Sequence, residues 1–260
     1  MQAKQLLGTL ALLIGATWFP SAVGQTAVPE EAWCVESVAN ATICREIGVE
    51  FMVGDRVARD SELATTLLIA ACTGGDAQGC LSAAYEFYDR SRYDPDGELG
   101  RADRERAREL ALAACDGGLG RGCDFATRFY IPDFARITTL YVAACDHGHV
   151  YGCLQAGNNY ATGYSVPQDH RRAIALYTTA CLNDRPDGCF EAGRLYLAGT
   201  DVPEDRILAE ALYAETCERV ATAQEEEGLR FITRWGVDVA IPLVRACEAG
   251  FDQAYANAAD

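Results

Sequence analysis

Thiols are the reactive groups that this chain repeats. It holds twelve cysteines, and eight of them fall into one pattern. Two cysteines stand eight positions apart at Cys72/Cys80, Cys115/Cys123, Cys145/Cys153 and Cys181/Cys189, closing the segments ACTGGDAQGC, ACDGGLGRGC, ACDHGHVYGC and ACLNDRPDGC. Such thiols can pair, bind metal or exchange electrons. Zinc sites favour gaps of about two to four residues and convergent ligands, whereas these pairs are strung along the chain. Disulfides are therefore expected at all four. Cys34–Cys44 closes a slightly longer loop and would tie the N-terminal segment to the first helix. Cys217–Cys247 pairs by elimination.

Other chemistry is sparse. The three histidines are His147, His149 and His170. His147-x-His149 reads as two polar loop residues on solvent, with half of a metal site as the alternative. No Ser/His/Asp grouping, Gly-rich phosphate loop or paired-carboxylate motif stands out. The run Glu225-Glu226-Glu227 reads as a solvated loop or helix N-terminus. Asn40-Ala41-Thr42 fits a glycosylation sequon by accident. No catalytic residue, metal site or cofactor is expected.

Composition and compartment agree with paired thiols. Lys4 precedes an apolar run from Leu6 to Phe19, Pro20 breaks it, and Ala22-Val23-Gly24 offers a cleavage site, so residues 1–24 read as a secretory signal. The run is too short for a membrane span. The expected product is soluble, periplasmic or secreted, and disulfide-permissive. The 22 basic and 38 acidic side chains give a net charge of −16. That field opposes nucleic acid and anionic membranes. Half of the residues are hydrophobic, which excludes disorder. Beyond Lys4 every side-chain cation except histidine is arginine.

The elements that must position the thiols are helical hairpins. Aligning the copies on their cysteines exposes a unit of about 36 residues, clearest over 152–181 and 188–217. Helix A is expected to open at the second cysteine. Four residues later it places Gly48, Ala84, Thr127, Gly157 or Gly193. Seven residues later it places Phe51, Phe87, Tyr130, Tyr160 or Tyr196. The small residue admits helix B, and the aromatic fills the space beside it. Helix B carries Leu67, Leu110, Leu140, Leu176 or Leu212 five positions before its cysteine. The inner loop is long and charged from Asp89 to Asp103 and shrinks to Ile131-Pro132-Asp133 in the third copy. Editing confined to turns suits a solenoid. The fold class is all-α: a right-handed solenoid of about six hairpins over 44–247, with an N-terminal segment at 25–43 and a capping segment at 248–260. Trp33 and Trp235 would cap the ends of the core.

This pattern resembles Sel1-like repeats, which are related to tetratricopeptide repeats. The cysteine spacing is similar to the Helicobacter cysteine-rich protein family. The resemblance covers roughly residues 44–217 and weakens after Cys217, where Leu229 stands in place of a partner cysteine and Tyr255 stands eight after Cys247. It implies a concave groove built from the residues one and five after each opening cysteine: Tyr85, Arg128, Asn158 and Arg194 with Val49, and Leu154 and Phe190 with Arg45, Leu81 and Asp124. Arginine forks there suit carboxylates, or these are merely exposed helix positions. The resemblance implies a scaffold for a protein, peptide or peptidoglycan fragment. Its alternatives are a β-lactamase or penicillin-binding hydrolase, and a redox or metallochaperone assembly factor. The mature chain has no lysine, which removes the Ser-x-x-Lys machinery of serine β-lactamases.

Overall fold

The computed structural model describes residues 40–227, except Arg56 and Ser165, together with Arg230, Val244, Arg245 and Cys247. The helices are α1 (Ala41–Val53), α2 (Ser61–Thr73), α3 (Ala77–Ser91), α4 (Glu98–Asp116), α5 (Gly120–Ala126, continued by a 3-10 turn Thr127–Phe129), α6 (Phe134–Asp146), α7 (Val150–Thr162), α8 (His170–Leu182), α9 (Pro186–Ala198) and α10 (Arg206–Glu227). They form five αα-hairpins, and each helix packs chiefly on its neighbours in sequence. This is an α-solenoid. A sixth hairpin, the segments before residue 40 and after 247, Trp33 and Trp235 lie outside the described residues.

Helix A does not open at the cysteine; it starts three residues earlier. α3, α5, α7 and α9 begin at Ala77, Gly120, Val150 and Pro186, so each cysteine is the fourth residue of its helix. The residue before it is always glycine. A Cβ on Gly79, Gly122, Gly152 or Gly188 would lie 2.7, 2.6, 2.6 or 2.8 Å from the Cβ of Ala71, Ala114, Ala144 or Ala180. Those alanines precede the first cysteine of each pair. The Ala-Cys and Gly-Cys dipeptides therefore form one contact in which small residues let two helices cross closely enough for the sulfurs to join. The structure joins Cys72–Cys80, Cys115–Cys123, Cys145–Cys153 and Cys181–Cys189, with Cα atoms 4.4, 4.5, 4.6 and 4.7 Å apart. Cys217 is joined to Cys247. Cys44 is disulfide-bonded, and Cys34 lies outside the described residues.

The inner turns share a second device. An aspartate caps each of four B helices: the carboxylates of Asp60, Asp133, Asp169 and Asp205 accept from the backbone N–H of Leu63, Arg136, Arg172 and Leu208. The same aspartates donate their own N–H to the carbonyls of Phe51, Tyr130, Tyr160 and Tyr196. The aromatic seven after the cysteine thus anchors the turn through its backbone. The space at the small residue of helix A is filled from helix B, four positions before the cysteine: Leu68 against Gly48, Tyr177 against Gly157 and Tyr213 against Gly193.

One carboxyl group in the second hairpin is poorly solvated. Glu86 on α3 is 8 % exposed, and burial pushes its carboxyl above the ordinary 4.5, with Asp89 adding and Arg59 and Arg90 opposing. A raised folded value means that the protonated form is favoured in the fold. The contribution is present in full below pH 4.5 and is lost as pH rises through the folded value. Glu86→Gln should accordingly raise the Tm at pH 7 by about 1–3 °C. The gain should vanish in melts at pH 4, and an equal gain at both pH values would contradict this account.

Candidate functional site

The third hairpin differs from its neighbours because α5 is short. After Ala126 the chain tightens into a 3-10 turn and reaches α6 through Ile131-Pro132-Asp133, so α6 begins four residues after Tyr130. Helix A of this copy ends before it can cover the start of helix B. A cleft of about 390 Å³ results, lined by α5, α6, α7 and the turn that follows α7. Its apolar part is Ile131, Phe134, Ile137 and Tyr164. Ile131 and Tyr164 are each 70 % exposed, and Phe134 is 37 % exposed. Phe134 and Tyr164 meet edge to face at 5.2 Å.

The polar part comes from α5 and α7. Arg128 is exposed and sits over the Phe125 ring, its guanidinium carbon 5.7 Å from the centroid. Asp124 lies 3.7 Å from the His149 Nε2. On α7, Asn159 donates its Nδ2 to the Thr138 hydroxyl at 2.8 Å, and Gln155 stands one turn earlier. Tyr141 lines the cleft from α6, and burial pushes its phenol up against an opposing hydrogen bond from Thr127.

The residues expected to form a groove separate into three kinds. Leu154 is 5 % exposed in the core of the fourth and fifth hairpins, and Leu81 is fully buried. Phe190 packs its ring 5.2 Å from that of Tyr213. The row one after the cysteine is thus packing surface at these copies, because it faces the neighbouring B helix. Tyr85 is half-buried, with its ring 4.4 Å from that of Phe125. The row five after the cysteine is more open. Asn158 is exposed but its Oδ1 accepts the Tyr177 hydroxyl at 2.6 Å, and Arg194 is bound by Glu191 at 2.9 Å. Among the described residues Arg128 makes no ion pair, because Phe125 occupies the place, three residues earlier, that Glu191 holds for Arg194.

Other candidates gather less. His147 is exposed in the outer turn beside His149. Among the described residues no group of three or more His, Cys, Asp or Glu side chains is placed to hold a metal. His170 is buried, its ring nitrogens 3.2 Å from the Ala161 carbonyl oxygen and 2.9 Å from the Thr200 hydroxyl. It links the inner turns of the fourth and fifth hairpins. No helix among the described residues is long and apolar enough to cross a membrane.

The family model of the Sel1 repeat matches the chain over residues 44–76, 94–119, 150–184 and 186–219. The chain carries Sel1 repeats. No curated protein sequence matches the chain. Among solved structures it is similar to a Sel1 repeat protein from Oxalobacter formigenes, at 16 % identity and a TM-score of 0.58, over 84 % of this chain and 82 % of that one. It is also similar to c5321, a protective antigen of uropathogenic Escherichia coli with an SLR fold, at 16 % identity and a TM-score of 0.44, over 85 % of this chain and 56 % of that one. Two stretches fall between matched repeats: 77–93, which holds α3, and the longer 120–149, which holds α5, α6 and much of the cleft.

Proposed function

We propose that this Sel1-repeat protein is a secreted or periplasmic scaffold that binds a protein or peptide segment on its helix-A face. The single observation that carries the reading is the cleft of the third hairpin. Apolar side chains gathered in a concave site beside a few polar groups are the usual make-up of a binding pocket, and here Ile131, Phe134 and Tyr164 gather beside Arg128. The repeat architecture supports the same reading, since stacked hairpins make extended binding surfaces. The disulfides support an oxidising compartment.

Selection of displayed peptides on the disulfide-intact protein tests this. Sequences recovered on the wild type should lose at least about tenfold in affinity on the Arg128→Glu/Arg194→Glu double variant, a change of about 1.4 kcal/mol. Undiminished binding of every recovered sequence would remove the helix-A face as the docking surface.

A further inference from the structure

We infer that His170 is a pH-sensitive latch between the fourth and fifth hairpins. As an imidazolium it ties their inner turns together through Asp201, and as a neutral imidazole it lets Asp201 go. The latch is independent of what the helix-A face binds.

Both nitrogens of this buried ring face oxygen. Nε2 lies 3.2 Å from the Ala161 carbonyl oxygen in α7, which also accepts the Gln168 Nε2 at 2.8 Å. Nδ1 lies 3.0 Å from the Asp201 Oδ2 and 2.9 Å from the Thr200 hydroxyl, both in the turn after α9. A carbonyl and a carboxylate only accept. A neutral imidazole has one N–H, so either tautomer leaves a bare nitrogen against one of these two acceptors. The imidazolium carries a proton on each nitrogen and satisfies both at once, and its charge then meets the Asp201 carboxylate.

Deprotonation has a definite route. With the remaining proton on Nε2, the bond to Ala161 persists, and the Thr200 hydroxyl can turn to donate to Nδ1. Asp201 then faces a lone pair, and its side chain, 55 % exposed, turns to water. What is lost is the charged link between the two turns. The surrounding charges are engaged or exposed. On α8, Arg171 is exposed, while Arg172 lies 3.3 Å from the Asp169 carboxylate and donates to the Tyr160 hydroxyl at 3.2 Å. In the turn after α9, Glu204 is exposed and Asp205 caps α10. Among the described residues Asp201 is the charged side chain at contact distance from the ring. The link is therefore present while His170 is protonated and is lost as pH rises through the histidine range.

The test is amide hydrogen exchange on the full disulfide-intact chain at about pH 5.5 and about pH 8, read as protection factors corrected for the intrinsic rate. The Asp169 and Asp205 amides report, because they close the two inner turns on the Tyr160 and Tyr196 carbonyls. Their protection should be at least about threefold greater at the lower pH. The Asp60 amide closes the equivalent turn of the first hairpin on Phe51 and should show no such gain. Asp201→Asn should abolish the gain, and should lower the Tm by about 1–3 °C at the lower pH while leaving it unchanged at the higher. Glu204→Gln removes the same charge from the same turn and should keep the gain. His170→Gln should show the weaker protection at both pH values. Equal protection at both pH values in the wild type, a gain shared by Asp60, or a gain that survives Asp201→Asn would overturn the latch.

Discussion

Excess reductant should unfold this protein at temperatures where the oxidised form is fully helical. In the chain-entropy model a bridge across eight residues constrains the unfolded chain by about 2.5 kcal/mol, and one across thirty by about 3.7 kcal/mol. The four short bridges together then supply about 10 kcal/mol, comparable to the whole stability of an ordinary domain, about 5–15 kcal/mol. The packing cannot replace them. Alanine and glycine line the helix crossings where the sulfurs meet, so little apolar area is buried at those junctions. Circular dichroism melts with and without reductant provide the measurement, and a reduced Tm within a few degrees of the oxidised one would refute the prediction. Removing one pair is the graded form. Cys145→Ala/Cys153→Ala should cost about 2.5 kcal/mol in urea titrations. Alanine is the right replacement, because Cys145 and Cys153 are 8 % and 1 % exposed and serine would bury hydroxyls. In an array whose repeats contact only neighbours, loss of this central pair should also broaden the transition more than loss of Cys72–Cys80 near one end.

What could be read from the sequence follows from how each constraint is written there. A covalent bridge across a tight turn fixes its spacing, so eight-residue pairs declare themselves. The hairpin period is equally plain, because the cysteines mark it. The start of helix A was misplaced by three residues, since the glycine before each cysteine looks like a turn residue. Its actual task is close approach to alanine, visible only when two helices are set side by side. The helix-B side chain nearest the small helix-A residue lies four positions before the cysteine, next to the leucine whose period the sequence shows. Adjacent positions on a helix face differ by about 100°, and periodicity alone does not choose between them. The difference between Arg128 and Arg194 was legible and missed: Glu191 lies three residues before one, Phe125 three before the other, and such spacing pairs side chains on a helix. The cleft itself was not legible. The short inner turn showed in the sequence, but what it uncovers depends on where α7 and the turn after it lie.

Within the chain the position four after each opening cysteine and its helix-B partner vary together: Gly48 with Leu68, Ala84 with Ala111, Thr127 with Tyr141, Gly157 with Tyr177 and Gly193 with Tyr213. Leu68, Tyr177 and Tyr213 meet glycine and Ala111 meets alanine, as a fixed interhelical space requires, whereas Thr127 meets the large Tyr141 and hydrogen-bonds its phenol. Gly157→Ala should therefore destabilise this protein. Its Cβ would stand 2.6 Å from the Tyr177 Cε1 and 2.7 Å from its Cδ1. The ring has nowhere to go: Tyr177 is 1 % exposed, and its hydroxyl donates to the Asn158 Oδ1 at 2.6 Å. Burial also pushes that phenol up, so it stays a neutral donor across the whole working pH range. Overpacking of this kind costs about 1–3 kcal/mol, and the helix-propensity gain of alanine over glycine returns only about 0.5–1 kcal/mol. A net loss of about 1–2 kcal/mol is expected in urea titrations. Gly193 provides the internal control, because its Cβ would meet Tyr213 at 3.1 Å and a shift of a few tenths of an ångström relieves it. Gly193→Ala should lie within about 0.5 kcal/mol of wild type. A Gly157→Ala/Tyr177→Leu pair should be less unstable than the two single changes summed, with a coupling of about 1 kcal/mol or more. Simple additivity would show that the methyl group and the ring do not compete for the same space.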